Sequence, residues 1–343
     1  MTVNDNIADR LKPLPRGATL ADVAAAAGVS TMTASRVMNG RGGAASEETR
    51  ARVLAAAASL AYRPNTFAKG LKGDRSYTVG IVVPDIGNPF FPEVIKGAEL
   101  AARARGFTLL TCNVVEDPER EAEVLATLLD RRVDGVIVCS ARLEDKRLQQ
   151  AIEQHRAAVL INRPMPRRVA GTIEIDFRTG LAAATRLLIG RGRRRIAYIG
   201  GPPTSHSGRM RRAGILDALA EHGLELVAEE ATTPDLEGGF DAARRLSGSK
   251  TKVDAMICYN DLIAIGAMTV IREAGLAVPG DIAVLGCDDI LPARLVNPPL
   301  STIHVAKQDL GDAAMRMLID RIEGRSLQHS IVIEPELIER GTT

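Results

Sequence analysis

The chain has no tryptophan and, among its 343 residues, only four Tyr and six Phe. Its four cysteines (Cys112, Cys139, Cys258 and Cys287) form no CxxC pair, so we expect buried, reduced thiols and no metal site. No apolar run approaches the ~20 residues of a membrane span, and residues 1–17 lack the hydrophobic core of a secretion signal. We therefore expect a cytoplasmic protein with no membrane partner.

Motifs of common enzyme classes are also missing. The sequence contains no GxxxxGK[ST] loop, no GxGxxG after a strand, no GxSxG elbow and no HExxH pair. Its five histidines are scattered singly, and Ser205-His206 is a pair of loop neighbours rather than a nucleophile with its base. These absences argue against an enzyme, and we expect no cofactor.

What the sequence does have is an uneven distribution of charge. Residues 1–75 carry 11 Lys/Arg against 6 Asp/Glu, whereas the remainder carries 33 against 36. With 45% hydrophobic and 25% charged residues the chain is typical of a globular protein with about two or three domains. The basic N-terminal part is therefore the candidate for contact with nucleic acid.

The stretch TLADVAAAAGVSTMTASRVMNG, residues 19–40, predicts two short helices joined by a turn. Thr19 and Asp22 have the spacing of a capping box, Gly28 suits a left-handed helix end, and Ser30 caps the second helix. Apolar residues recur at three and four positions along the first helix. The pattern is that of a helix-turn-helix, although two packed alanine-rich helices of any bundle would produce much of it.

Further motifs follow in a characteristic order. They are TRARVLAAAASLAYRPN, VVPDIGNPFFPEVIKGAE, RRRIAYIGGP, VPGDIAVLGCDD and NPPLSTIHVAKQDLG. Together with AGVSTMTASRVMNG, they resemble the LacI/GalR family of bacterial transcription regulators over all but about the first 18 residues. The resemblance implies an all-α helix-turn-helix headpiece followed by an α/β, two-lobed, periplasmic-binding-protein-like domain with parallel sheets.

The implied domain boundaries divide the chain into four parts. Residues 1–18 are a disordered arm, 19–63 the headpiece, 64–75 a hinge, and 76–343 the effector-binding and dimerisation domain. Lobe one comprises about 76–173 and 306–335, and lobe two about 174–305 and 336–343. The residues themselves support parallel sheets, because short apolar runs alternate with helical stretches. The predicted strands are TVGIVV, FTLLTC, GVIVCS, AAVLIN, TIEI, RIAYIG, LELVAE, DAMICY and DIAVLG.

Polar residues follow several of these strands, where open α/β sheets bind ligands. Carboxylates, amides and a guanidinium on one cleft suit a molecule rich in hydroxyl groups. Phe90 and Phe91 could stack on a sugar ring or pack in the core, and at least one is expected in the core. The candidate effector-binding residues, several carried over from the family, are Asp85, Phe90, Phe91, Asn162, Arg163, Asp176, Arg211, Asn260 and Asp288.

Three features leave the binding arginine and the effector class open. Arg209 and Arg212 crowd Arg211, so the assignment of the binding arginine is open by one residue. Cys287 stands where the family usually has Phe or Tyr. Arg163 and Arg211 would both suit an anion, so a sugar acid or sugar phosphate competes with a neutral sugar.

The resemblance also implies how DNA is read. Thr31, Met32 and Arg36 lie over base edges, since arginine bonds guanine bidentately and methionine can contact a thymine methyl. Leu71 of the hinge inserts into the minor groove as an apolar wedge. The remaining expected DNA contacts, mostly to phosphates or as helix caps, are Thr19, Ser30, Thr33, Ser35 and Asn39.

One headpiece contacts a half-site, so a homodimer on near-palindromic double-stranded operator DNA follows. The sequence therefore predicts a repressor at the nucleoid whose DNA affinity is controlled by a sugar or sugar acid. A solute-binding protein of a sugar transport system is the alternative for residues 76–343, and it would require an export signal and no basic headpiece.

Overall fold

The computed structural model describes residues 18–38, 45–62, 75–248, 251–325 and 329–343. The chain forms two compact units, Met1–Ser76 and Tyr77–Thr343. The first contains helices, and the second alternates strands and helices in parallel sheets, so the predicted fold class is confirmed. Residues 1–17 of the predicted arm and 64–74 of the predicted hinge lie outside the described residues.

Helices α1 (Leu20–Ala27) and α2 (Thr31–Met38) form the predicted helix-turn-helix. The Thr19 hydroxyl accepts a hydrogen bond from the Asp22 amide at 3.3 Å, and the Asp22 carboxylate accepts one from the Thr19 amide at 2.7 Å. Gly28 ends α1 with a φ of 63°, which glycine adopts at little cost. The Ser30 hydroxyl caps α2 by accepting from the Thr33 amide at 3.1 Å. The predicted caps are confirmed.

Helix α3 (Glu47–Ser59) completes the first unit, and Ser46 caps it through the Thr49 amide. Small apolar side chains let the three helices approach closely around one core. That core consists of Val23, Ala24, Ala27, Ala34, Val37, Val53, Ala56 and Ala57.

A six-stranded parallel sheet is the larger sheet of the second unit. Its strands occur in the spatial order β11-β5-β4-β3-β1-β2. Their bounds are β1 Thr78–Val83, β2 Thr108–Asn113, β3 Gly135–Cys139, β4 Ala158–Ile161, β5 Gly171–Ile175 and β11 Ser330–Ile333. β1, β3 and β4 are almost wholly buried, which explains their continuous runs of Val and Ile.

The smaller sheet has four parallel strands in the order β7-β6-β8-β9, and a two-stranded antiparallel ladder pairs β10 with β12. The bounds are β6 Ile196–Gly200, β7 Ala228–Ala231, β8 Ala255–Cys258, β9 Ala283–Leu285, β10 Thr302–His304 and β12 Glu336–Ile338. The prediction of a strand over 224–229 was wrong in its position. Leu224 and Leu226 pack against the core from the preceding connection, and the strand lies four residues later.

Nine helices of the second unit connect or cover these strands in the described ranges. They are α4 Phe90–Ala104, α5 Pro118–Asp130, α6 Asp145–Glu153, α7 Phe177–Gly190, α8 His206–Glu221, α9 Leu236–Ser247, α10 Asp261–Glu273, α11 Leu291–Leu295 and α12 Lys307–Ile322. α4 and α12 pack backbone to backbone. A Cβ on Gly97 would lie 2.0 Å from the Gln308 carbonyl oxygen, so the two helices can approach this closely only with glycine at position 97.

All four cysteines are free. Cys139, Cys258 and Cys287 are buried as predicted, and burial raises the pKa of Cys139 to about 12. Cys112 is only half-buried because it lies on β2, an edge strand, so the prediction of burial was wrong there. In the parts of the chain that the structure describes, we find no helix with the length and apolar character needed to cross a membrane.

Candidate ligand pocket and DNA-reading surface

Helix α2 presents one exposed face, set by which of its residues enter the headpiece core. Ala34 and Val37 are buried, whereas Thr31 and Arg36 are exposed and Met32 is 64% exposed. Three of the residues predicted to read bases therefore share the solvent-facing side of α2.

The other predicted DNA contacts serve local structure first. Thr19 and Ser30 are the caps of α1 and α2, and the Thr33 hydroxyl lies 2.9 Å from that of Ser30. Ser35 is half-buried. Asn39 and Leu71 lie outside the described residues.

A pocket in the second unit lies where strands of both sheets reach their carboxyl ends. Its concave surface outlines about 410 Å³ of space not filled by protein atoms, part of which is open to solvent. Its lining comes from the loops and helices that follow β1 to β5 and β6 to β9. The lining residues are Asp85, Asn88, Phe90, Phe91, Glu116, Ser140, Arg142, Asn162, Phe177, Ser207, Arg211, Pro234, Tyr259 and Asp288.

Arg211, on α8, lies in the wall of this pocket that follows the strands of the smaller sheet. Its guanidinium carbon lies 3.6 Å from the Phe177 ring centroid and 4.5 Å from that of Tyr259. Nη2 donates to Asp288 Oδ1 at 3.3 Å, and Nε lies 3.4 Å from the sulfur of Cys287. Nη1 is buried and has no hydrogen-bond partner among the described residues. A hydroxyl oxygen in the pocket would satisfy it, because buried donors without partners cost about 1–3 kcal/mol.

Asp288 follows β9 and is 4% exposed. Burial raises the pKa of its carboxyl, and the nearby charges of Arg211 and Lys307 oppose that effect. Asp288 and the next residue, Asp289, have φ values of 118° and 48°, which non-glycine residues rarely adopt. The Lys307 ammonium donates to the Asp289 carbonyl at 3.0 Å and also to the Asp288 carbonyl, so it supports this strained turn.

The pocket wall that follows the strands of the six-stranded sheet contains an ion pair that the strand-end rule missed. Arg142 is 3% exposed, and its Nε and Nη2 both donate to the Glu116 carboxylate, Nη2 at 3.0 Å. Both residues lie three positions after a strand, beyond the first polar residues, Asn113 and Ser140. β2 and β3 flank β1 in the sheet, so the residues that follow them lie near each other. The opposite charges of Glu116 and Arg142 were therefore the signal in the sequence that could have predicted this pair.

Phe90 and Phe91 both line the pocket at the start of α4. They are 4% and 7% exposed, and their rings pack edge to face with centroids 5.3 Å apart. They are part of the core and offer the pocket an apolar edge. Asn162, on the far side, accepts from the Ile175 amide at 3.1 Å through its side chain and adopts a φ of 58°.

Three predicted effector residues have other partners and are not among the lining residues. Arg163 donates to the Leu143 carbonyl at 2.7 Å and lies 2.8 Å from Asp145. Asp176 caps α7 through the Thr179 amide, and Asn260 caps α10 through the Ile263 amide. The Asn260 side chain also donates to the carbonyl of Pro234, which lines the pocket.

No group of three or more His, Cys, Asp or Glu side chains in the described ranges is placed to hold a metal ion. The most concentrated set of acidic residues near the pocket is Asp261, Asp288 and Asp289. Asp289 is bonded by Arg294 at 2.8 Å and by Arg340 at 2.6 Å. Burial would raise its pKa, but these hydrogen bonds and that of His304 lower it to about 2. Arginines thus pair with Asp289, and Arg211 pairs with Asp288, whereas Asp261 accepts its hydrogen bonds from the Ile290 amide and the Thr302 hydroxyl.

Known protein families match both units. The family described as "Bacterial regulatory proteins, lacI family" matches residues 19–65. The family described as "Periplasmic binding protein-like domain" matches residues 185–343. The two matches correspond to the helix-turn-helix and to the part of the α/β unit that contains Arg211 and Asp288.

Relatives align along nearly their whole length. The chain is 36% identical over 329 residues to the ribose operon repressor of Escherichia coli (strain K12), covering 95% of this chain and 99% of that protein. It is 35% identical over 326 residues to the HTH-type transcriptional regulator RegA of Clostridium saccharobutylicum, covering 94% and 98%. The structure of the Lac repressor dimer bound to operator and the anti-inducer ONPF matches with a TM-score of 0.85 and 28% identity, covering 96% and 99%. This agreement in sequence and in structure means that the chain belongs to the LacI family of bacterial DNA-binding transcription regulators.

Proposed function

We propose that this regulator is a repressor whose affinity for operator DNA is controlled by a small hydroxylated metabolite bound in the pocket. The observation that carries the proposal is the buried, unpartnered Nη1 of Arg211 beside the Asp288 carboxylate. A hydroxyl group can accept from Arg211 and donate to Asp288 at the same time. The buried Phe90 and Phe91 offer apolar contact for the ring of a sugar.

The DNA-reading half of the proposal rests on the exposed face of α2. Thr31, Met32 and Arg36 contact base edges, while Thr19, Ser30, Thr33, Ser35 and Asn39 hold phosphates or cap the helices. Leu71 acts as the minor-groove wedge. Since one headpiece covers only a half-site, the working form is a homodimer on a near-palindromic operator. A relative, the Lac repressor, has been described as a dimer bound to operator.

The domain boundaries belong to the same proposal. The headpiece covers 19–63, residues 64–75 form the hinge, and the lobes exchange the chain near Ile175, Ala306 and Glu336. The strands support this division, because β5 and β11 belong to the six-stranded sheet while β6 to β9 form the smaller one. We place the protein in the cytoplasm at the nucleoid and assign it no enzymatic activity, as its relatives are regulators.

A solute-binding protein of a sugar transport system remains the second candidate, because such a protein would share a two-lobed pocket. The match of residues 19–65 to the lacI-type regulatory family favours the repressor. The two functions also differ in one measurable property, which is whether ligand binding changes DNA affinity.

The test is a thermal-shift screen of the full-length protein against a panel of sugars and sugar acids. Compounds that raise the melting temperature are then added to a binding assay with an operator selected from random DNA. We expect at least one compound to change the operator Kd by about fivefold or more, the range of allosteric coupling free energies of about 1–3 kcal/mol. A compound that binds tightly and leaves the operator Kd unchanged would contradict the repressor and support the transport function.

A further inference from the structure

We infer that the effector is an uncharged polyhydroxyl molecule, and that Glu116 sets this preference by compensating the charge of Arg142 in the pocket wall. The inference rests on the proposed function and selects between the neutral sugars and the sugar acids that the sequence leaves open. It depends on which guanidinium groups near the pocket still have charge and donors available for an anion.

Arg142 has neither an uncompensated charge nor a free donor to offer an anion. Its Nε and Nη2 donate to the two carboxylate oxygens of Glu116, and its Nη1 donates to the Ser140 carbonyl. Every nitrogen of this nearly buried guanidinium therefore has an acceptor within the protein. A bidentate Arg–carboxylate pair has matched geometry, so a ligand carboxylate would have to displace Glu116 to bind there.

Arg163, the second arginine that suggested an anion, has Nη1 and Nη2 engaged by the protein, while its buried Nε has no hydrogen-bond partner among the described residues. It pairs with Asp145 at 2.8 Å and donates to the carbonyls of Leu143 and Ala141 at 2.7 and 3.4 Å. These contacts fix the loop between β3 and α6, and Arg163 does not line the pocket. It therefore supplies no charge to a ligand in this site.

Arg211 retains one free donor but not an uncompensated charge, because Asp288 is its partner at 3.3 Å. Asp85 also lines the pocket and adds a carboxylate with no arginine partner among the ion pairs of the described residues. The lining thus contains three carboxylates and two guanidinium groups. The Lys307 ammonium also acts on Asp288, so the positive charges next to the pocket already face carboxylates. A ligand carboxylate or phosphate would add a negative charge to this buried site that no unpaired cation of the described lining compensates, whereas a hydroxyl would not.

The experiment measures, by calorimetry, binding of three matched pairs of probes to the full-length protein. The pairs are D-ribose and D-ribonate, D-glucose and D-gluconate, and D-galactose and D-galacturonate. Each pair is measured with the wild type, with Glu116→Gln and with Glu119→Gln. Glu119 is the matched control, since it lies three residues away and pairs with Arg147 in an exposed contact outside the pocket.

We expect the wild type to bind a neutral member at least about tenfold more tightly than its acid. Glu116→Gln removes the compensating charge of Arg142, so the affinity for the acid should rise at least about tenfold relative to the neutral sugar. Glu119→Gln should leave this ratio at the wild-type value. Melting curves of both variants establish that they are folded.

Two results would overturn the inference while the proposed function stands. One is a wild type that binds an acid more tightly than its neutral partner and changes its operator affinity on doing so. The other is an acid-to-neutral ratio that is the same in Glu116→Gln and in the wild type. By contrast, a neutral sugar that binds without any effect on operator affinity supports the inferred ligand class and contradicts the proposed repressor.

Discussion

At the scale of single residues, Arg211 combines three kinds of contact in one side chain. Its plane lies against Phe177 and Tyr259, one nitrogen bonds Asp288, and Nη1 is free for a ligand. Lysine would keep the charge but lose the planar fork that stacks and donates in fixed directions. We expect Arg211→Lys to weaken effector binding at least about tenfold, as measured by calorimetry with the sugar identified in the thermal-shift screen.

Arg212→Lys is the control, because Arg212 lies on the same helix and forms an exposed pair with Glu229 at 2.6 Å. Its effector affinity should equal that of the wild type. Equal losses in the two variants would mean that general charge density on α8 matters and that the position of Arg211 does not.

A second residue-scale prediction concerns Asp261, which is fully buried at the start of α10. Burial, with a further contribution from Asp288, raises its pKa from 3.8 to about 7. Between these values the folded protein binds the proton more tightly than the unfolded chain does. The free energy of unfolding therefore falls as the pH rises through this window, by up to about 4 kcal/mol from this group.

Asp261→Asn should remove that part of the pH dependence. The amide can accept from the Ile290 amide and donate to the Thr302 hydroxyl, which replaces the two present hydrogen bonds. Urea unfolding at pH 5.0 and pH 7.5 measures the effect, and the variant should lose less stability than the wild type between the two. Parallel losses would show that Asp261 is ionised throughout the window.

The sequence rule that strand ends carry ligand contacts located Asp85, Asn162 and Asp288 in the pocket. The same rule selected Asp176 and Asn260, whose side chains cap helices instead. It also passed over Arg142, because the rule counts residues along the chain, whereas the direction of a long side chain depends on partners such as Glu116. The sequence therefore predicted which polar residues follow a strand, but not whether each side chain caps a helix or lines the pocket.

At the scale of elements, arginines on helices α2 and α3 allow the proposed reading of bases to be distinguished from general electrostatic attraction to DNA. Arg36 is exposed on α2, and Arg52 is an exposed arginine on α3. A bidentate contact to a base is worth about 1–3 kcal/mol. Arg36→Ala should therefore weaken operator binding roughly tenfold to a hundredfold while binding to random DNA changes little. Fluorescence anisotropy at fixed salt measures both.

Arg52→Ala serves as the comparison because it removes the same charge from the same unit without altering α2. It should weaken operator and random DNA by similar, smaller factors. If Arg36→Ala also reduces both affinities equally, Arg36 contacts phosphate and does not read sequence.

The prediction of strands succeeded where a continuous apolar run is buried on both faces. It failed where a short strand pairs with a partner far away in the sequence. The runs over 78–83 and 135–139 are strands because both faces are buried. The ladder of β10 with β12 joins Thr302 to Ile338, and strands of three residues give too short a pattern to reveal such a partner. Strand β7, with the sequence AEEA, has almost no apolar signal because it is an edge strand.

At the scale of the whole molecule, the two units have different properties, because one is basic and the other contains the pocket. The basic N-terminal unit contains a core of small side chains and the exposed face of α2 that we propose reads bases. The second unit contains the pocket, whose lining comes from loops of both sheets. A ligand that contacts Asp85 and Asp288 together binds loops of two different sheets, which gives it a basis for favouring one arrangement of the lobes over another.

For the proposed homodimer we propose a contact surface on the second unit that includes the exposed face of α11. Leu291 and Leu295 lie four residues apart on this helix and are 67% and 74% exposed, so they share one apolar face. Leu295→Glu would place a charge on that face. We expect the dimer Kd to rise at least about 30-fold, the equivalent of about 2 kcal/mol for a central interface residue. Sedimentation velocity over a concentration series measures this shift, and operator affinity should fall with it.

Val332→Glu is the matched control, since Val332 is 65% exposed on the edge strand β11 of the other sheet. The control should sediment as the wild type does and keep its operator affinity. Effector binding should survive in Leu295→Glu, because Leu295 does not line the pocket. A Leu295→Glu protein that remains dimeric at the wild-type concentration would mean that the subunits associate through another surface. A monomer that still binds the full operator with wild-type affinity would contradict the argument that two headpieces are held together to read two half-sites.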